Sequence, residues 1–137
     1  MNGKSEYFAM KILIVDDKSS ARNTMKTILH SLGFMNLAES EDGNDAWFQL
    51  KAEFDGEEKN HFDLIISDVQ MPKLSGLQLL EYVRNDEELK NTPFFIASVV
   101  DKKETILASI KLGISGYIIK PYTRESVEKK LKKAGFL

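Results

Sequence analysis

Five short apolar runs, separated by segments of helical periodicity, constrain this chain more than any other feature. The runs are "KILIV" at 11–15, "NLAES" at 36–40, "DLIIS" at 63–67, "TPFFIAS" at 92–98 and "GYIIK" at 116–120. The first is apolar almost throughout, as a strand covered on both faces must be, and Pro93 opens the fourth. "SARNTMKTILHSLG" puts Met25, Ile28, Leu29 and Leu32 at helical spacing, with Ser19 as the expected N-cap and Gly33 as the stop. "GNDAWFQLKAEF" turns Ala46, Trp47 and Leu50 inward; its neighbours Trp47 and Phe48 cannot both face a core, so one of them is expected at the surface. Ser75 is expected to cap a helix carrying Leu77, Leu80 and Val83, "DKKETILASIKLG" is helical, and "TRESVEKKLKKAG" closes the chain, ending at Gly135. The charged run "DGEEKNH" between the second helix and the third strand reads as a solvated loop.

Strand-helix alternation of this kind predicts a parallel sheet wrapped by helices. Right-handed crossovers and short connections narrow that to an α/β doubly wound sandwich. With 137 residues, 42% of them hydrophobic, and no repeat or linker, a single domain is expected. We take residues 10–137 as that domain and 1–9 as an N-terminal extension.

Charge and composition remove several function classes. Nineteen basic residues against 21 acidic ones leave a net charge of −2, which is no electrostatic footprint for nucleic acid or an anionic membrane. The absence of cysteine excludes disulfides, thiolate catalysis and cysteine-ligated metals. No run approaches the ~18 apolar residues of a membrane span, and "MNGKSEYFAMK" lacks the apolar region of a signal peptide, so a cytoplasmic location is expected.

In doubly wound sheets, ligands bind beyond the carboxyl ends of the strands. The residues there are Asp16-Asp17 after the first strand, Asp68 after the third, Ser98 ending the fourth, and Lys120-Pro121 after the fifth. Three carboxylates at one sheet edge repel one another unless positive charge lies between them. Hard oxygen donors suit Mg2+, which is held by one or two carboxylates and keeps room for phosphate oxygens. Aspartate can serve as a nucleophile toward phosphorus, while an ammonium such as Lys120 and a hydroxyl such as Ser98 can neutralise and hydrogen-bond phosphoryl oxygens. This inventory suits phosphorylation of a carboxylate without saying which aspartate is attacked. Taken singly, each residue has an ordinary alternative: Asp16-Asp17 a turn and helix cap, Asp68 a polar strand end, Ser98 a strand-end serine, Lys120 a surface lysine.

"ILIVDD", "LIISDVQMPKLSGLQLL", "PFFIAS" and "GYIIKPY", in this order, resemble the receiver domains of two-component response regulators over about residues 10 to 134. The likeness is to single-domain regulators of the chemotaxis type, CheY-like proteins. It implies a flavodoxin-like sandwich with strand order 2-1-3-4-5. It implies Asp68 as phosphoacceptor, Asp16, Asp17 and Asp68 as Mg2+ ligands with the Gln70 carbonyl, and Lys120 as the phosphate contact. It also implies Ser98 and Tyr117 as switch residues and a cis bond before Pro121. The implied partners are a sensor histidine kinase or histidine phosphotransfer protein, a downstream target protein and a phosphatase, for a monomeric signalling switch rather than an enzyme with an external substrate.

The chain departs from the family pattern in several places. Ser75 stands where many relatives carry aspartate, Val99 is bulkier than the small residue common after the switch serine, and Gln70 and Val100 flank the site at positions that tune dephosphorylation. The run at 53–61 is longer than its counterpart in compact relatives. Three other classes compete: an aspartate-nucleophile phosphatase, which would need an Asp-x-Asp pattern after the first strand; a flavin protein, whose phosphate an acidic pair would repel; and a receiver fold used as an unphosphorylated binding module.

Overall fold

The computed structural model describes residues 9–52, 61–99 and 102–137. Most of the charged run and Val100 lie outside these residues, as do residues 1–8 of the N-terminal extension. Strands β1 (Lys11–Val15), β2 (Asn36–Ser40), β3 (Leu64–Ser67), β4 (Phe94–Ser98) and β5 (Gly116–Ile119) alternate with helices. The helices are α1 (Ser19–Ser31), α2 (Gly43–Ala52), α3 (Gly76–Arg84), α4 (Lys103–Lys111) and α5 (Arg124–Lys133). All strand pairs are parallel, in the order β2-β1-β3-β4-β5. This is the doubly wound arrangement expected from the alternation.

The period of two along a strand distributes the core between the two faces. Ile12, Ile14, Leu64, Ile66, Phe95, Ala97 and Ile118 face one side, where Met25 and Leu29 of α1 and Val127 and Leu131 of α5 cover them. Leu13, Val15, Ile65, Phe94 and Ile96 face the other, under Ala46 and Leu50 of α2 and Leu79, Leu80 and Val83 of α3. Burying side chains of this size contributes roughly 1.5–3 kcal/mol each, enough to fix the strand register and, with it, the edge where the strands end. Trp47 is half-buried against the edge of Tyr82, at 5.5 Å between ring centroids, and Phe48 is the exposed member of the pair at 72%.

The helix ends follow local chemistry, with one correction. α1 stops where Gly33 takes a φ of 101°, which places Phe34 N–H on the Leu29 carbonyl at 2.9 Å. Ser19 is not its N-cap: the helix already includes Ser19, and the cap position is Lys18, whose side chain makes no capping bond. The reason lies one turn back. Asp16 Oδ1 accepts the Lys18 N–H at 2.9 Å, so an aspartate turn directs the chain into the helix before Ser19 is reached.

Candidate functional site

Three residues sit one step beyond a strand and are still hydrogen-bonded to the last residue of the strand beside it. Asp16 N–H donates to the Ser40 carbonyl at 3.1 Å, Asp68 N–H to the Val15 carbonyl at 2.9 Å, and Lys120 N–H to the Ser98 carbonyl at 2.8 Å. The sheet ladder therefore holds the backbone of all three, while their side chains leave it at the same edge. Asp16 and Asp68 are buried and Asp17 is exposed. One carboxylate oxygen from each of Asp16, Asp17 and Asp68 falls within 4.8 Å of the others.

The Asp68 side chain is aimed from within its own loop. Val69 N–H donates to Oδ1 at 2.7 Å, and Oδ2 faces Lys120 Nζ at 3.4 Å. Behind it, α3 packs its first residue directly on the strand end: a Cβ on Gly76 would collide with the Asp68 carbonyl oxygen. Gly76 N–H meanwhile donates to the Val69 carbonyl at 2.9 Å. Ser75 forms the expected cap in a reciprocal arrangement, accepting Gln78 N–H at 3.2 Å while the Gln78 side chain accepts Ser75 N–H at 2.9 Å. Between Asp68 and this cap, Lys73 takes a left-handed φ of 69°, and the chain returns to bury Leu74.

Lys120 Nζ lies 2.6 Å from Asp16 Oδ2, with its side chain 15% exposed. Burial disfavours its charge, but the hydrogen bond with Asp16 and the nearby Asp68 and Asp16 charges outweigh this and raise its pKa above the ordinary lysine value. The ammonium is thus firmly protonated at neutral pH. The Lys120–Pro121 bond is cis.

A cleft of about 590 Å³ opens from this edge, lined by Asp17, Asp68, Gln70, Val99, Lys120, Pro121 and Tyr122 along with residues of the α1 end. Gln70 is exposed at its wall and Val99 stands at 64% exposure beside Asp68. Ser98 is fully buried, joined to Lys120 through the backbone. Tyr117 lies on β5 outside the cleft lining, half-buried against the core under α2 and α3. The site thus gathers Asp16, Asp17, Asp68 and Lys120, with Gln70 at its wall, while Ser98 and Tyr117 stand behind and to one side.

Reading for charged strand ends alone passes over Gly76 and Arg22. Arg22 Nη1 donates to the Asp16 carbonyl at 2.7 Å. Gly76 had a signal in "LSG", a glycine just inside a capped helix where alanine would propagate the helix better; Arg22, one residue in an ordinary helical pattern, had none.

The three carboxylates fit a hard divalent cation: they are oxygen donors that converge at spacings one ion can bridge, in a site whose ammonium already answers their repulsion. Among the described residues no helix is long and apolar enough to cross a membrane.

Comparison with known proteins agrees with this architecture. Residues 12–132 match the family model described as the response regulator receiver domain. The chemotaxis protein CheY-3 of Vibrio cholerae is 41% identical over 124 residues, 90% of each chain. The chemotaxis protein CheY of Pseudomonas aeruginosa is 38% identical, over 90% of this chain and 94% of its own. Among solved structures, Vibrio cholerae CheY4 superposes with a TM-score of 0.77 at 29% identity, covering 91% of this chain and 98% of that one. CheY in the CheX-CheY-BeF3-Mg complex of Borrelia burgdorferi gives a TM-score of 0.80 at 25% identity, covering 90% and 87%.

Proposed function

The chain belongs to the response regulator receiver family, and from that premise we propose that it is a phosphorylation-controlled switch whose phosphoacceptor is Asp68. Its relatives named above are chemotaxis proteins. The observation that carries the reading is the convergence of the Asp16, Asp17 and Asp68 carboxylates within 4.8 Å beside the protonated Lys120. Asp16, Asp17, Asp68 and the Gln70 carbonyl would hold Mg2+, which when bound supplies positive charge against the phosphoryl oxygens.

The chain's own residues supply the rest. The carboxylate of Asp68, oriented by Val69 N–H, attacks the phosphorus of a phosphohistidine or a small acyl phosphate. A new O–P bond forms, and the bond from phosphorus to the donor nitrogen or oxygen breaks, its electron pair leaving with the donor. Lys120 pairs with a phosphoryl oxygen, and the Ser98 hydroxyl turns to donate to another. Those contacts exist only in the phosphorylated state, so they favour whichever conformation makes them, and the population shifts accordingly. Tyr117 follows Ser98 inward and alters the surface formed by α4, β5 and α5, where a target protein binds. A sensor histidine kinase or histidine phosphotransfer protein supplies the phosphoryl group in the cytoplasm, a phosphatase removes it, and the protein works as a monomer.

Acetyl phosphate labelling tests this. Wild type should incorporate one phosphoryl group in the presence of Mg2+ and none with chelator, and Asp68→Ala should incorporate none. Equal labelling of the variant would refute the assignment. Steady release of product from a phosphomonoester over many turnovers would point instead to a phosphatase.

A further inference from the structure

The Asp16-Asp17 turn is held from behind by a residue outside the cleft. Arg22, in the first turns of α1, donates from Nη1 to the Asp16 carbonyl at 2.7 Å and from Nε to Glu39 Oε1 at 2.8 Å. Glu39 on β2 is itself fixed, its Oε2 accepting Lys26 Nζ at 2.7 Å. From α2, Gln49 Nε2 donates to the Glu39 carbonyl at 2.7 Å and to Ser40 Oγ at 2.6 Å. The guanidinium therefore ties α1 to the end of β1 and to β2, while α2 holds the β2 backbone at Glu39 and Ser40; the Arg22 side chain is only 16% exposed.

The Asp16 carbonyl belongs to the peptide unit that joins Asp16 to Asp17. Fixing that oxygen fixes the plane from which the exposed Asp17 side chain departs. Lys26 alone would balance the Glu39 charge, and a surface ion pair of this kind has little value in itself. What Arg22 adds is the second N–H, directed at the peptide between two carboxylates that converge on one point.

We propose that Arg22 is a positioning residue for divalent cation binding: it holds the Asp16–Asp17 peptide so that the Asp17 carboxylate stays beside those of Asp16 and Asp68, and Glu39 keeps the guanidinium aimed. The inference rests on the cation-binding reading given above. It also carries a sign that distinguishes it from a simple charge effect. Arg22 is positive and near a cation site, so by charge alone its removal strengthens cation binding. A positioning role demands the reverse, and loss of a residue that orients a metal ligand typically weakens metal affinity about 10- to 100-fold.

The experiment is Mn2+ binding followed by electron paramagnetic resonance, with Mg2+ competition, on the full chain and on Arg22→Gln, Glu39→Gln and Lys26→Gln. Metal-free thermal melts identify any variant that has lost its fold. Arg22→Gln should bind Mn2+ at least about tenfold more weakly, Glu39→Gln should be weakened in the same direction, and Lys26→Gln should stay close to wild type. Affinity in Arg22→Gln equal to or above wild type overturns the inference while leaving the site itself intact. A wild type that binds neither ion sinks the cation reading beneath it. If Arg22→Gln does not fold, Arg22→Met takes its place under the same criterion, and wild-type affinity in Glu39→Gln likewise overturns the proposal.

Discussion

Lys120 Nζ is closer to Asp16 than to Asp68, at 2.6 Å against 3.4 Å. The ammonium therefore rests mainly on a proposed metal ligand, not on the proposed phosphoacceptor. On the proposed reading, a divalent cation would compete with Lys120 for the Asp16 carboxylate, and its binding would free the ammonium to move toward the group arriving at Asp68. Lys120→Met should accordingly bind Mg2+ more tightly, since no ammonium then competes for the buried Asp16 carboxylate. Acetyl phosphate labelling should nevertheless fall sharply. Isothermal titration with Mg2+ checks the first part; weaker binding in the variant would show that Lys120 assembles the cation site instead of competing for it.

Gly76→Ala should damage the site without touching a charged residue. The added Cβ meets the carbonyl of Asp68 and approaches Val69 Cα at 3.0 Å, and these are backbone atoms of a strand end that cannot rotate away. Forcing an extra methyl into such a contact costs about 1–3 kcal/mol, and the shift falls on Asp68, the proposed phosphoacceptor. Urea unfolding should register the loss of stability, and the labelling rate should fall with it. A variant as stable as wild type would mean that α3 can slide away from β3 at no cost.

Lys120 and Arg22 show how far the sequence could be read. Lys120 was legible because a charged residue directly after an apolar strand has few structural reasons to be there, and the parallel sheet carries every strand end to the same edge. The strand order and the grouping of Asp16, Asp17 and Asp68 follow from that rule together with the family likeness. Arg22 was not legible, since its value depends on which β2 residue lies across from α1, a distance that no local pattern encodes. Ser19 has the chemistry of a cap but not its place, for a related reason: Asp16, three positions earlier, makes the turn through its side chain. Tyr117 was named from likeness alone, and its position on β5 among core residues is that of many strand tyrosines.

Ser75→Ala should separate helix stability from chemistry. Ser75 and Gln78 satisfy each other's N–H groups at the start of α3, and loss of such a cap costs about 1 kcal/mol. Ser75→Asp, which restores an acceptor at the same place, should recover the wild-type midpoint in thermal or urea unfolding. Labelling of Asp68 should be nearly unchanged in both, because the Ser75 side chain serves the helix and not the carboxylates. A loss of labelling in Ser75→Ala that Ser75→Asp does not rescue would assign this hydroxyl to the site.

Glu39 gives the metal-free protein a specific dependence on acid. Hydrogen bonds from Lys26 and Arg22 hold its pKa below the ordinary value of 4.5. A carboxylate with a depressed folded-state pKa contributes stability that is present above the unfolded value and lost as pH falls through the folded one. Wild type should therefore be more stable than Glu39→Gln at pH 7, by no more than about 1 kcal/mol because the pair is partly exposed to solvent. The two stability curves should converge as pH is lowered below 4.5 and through the depressed folded-state pKa of Glu39, since its protonation then does in wild type what the substitution has already done. Urea unfolding at stepped pH, in chelator, measures both curves. The other carboxylates titrate in both proteins and cancel in the difference, so curves that stayed parallel across this window would mean that Lys26 and Arg22 gain nothing from the charge on Glu39.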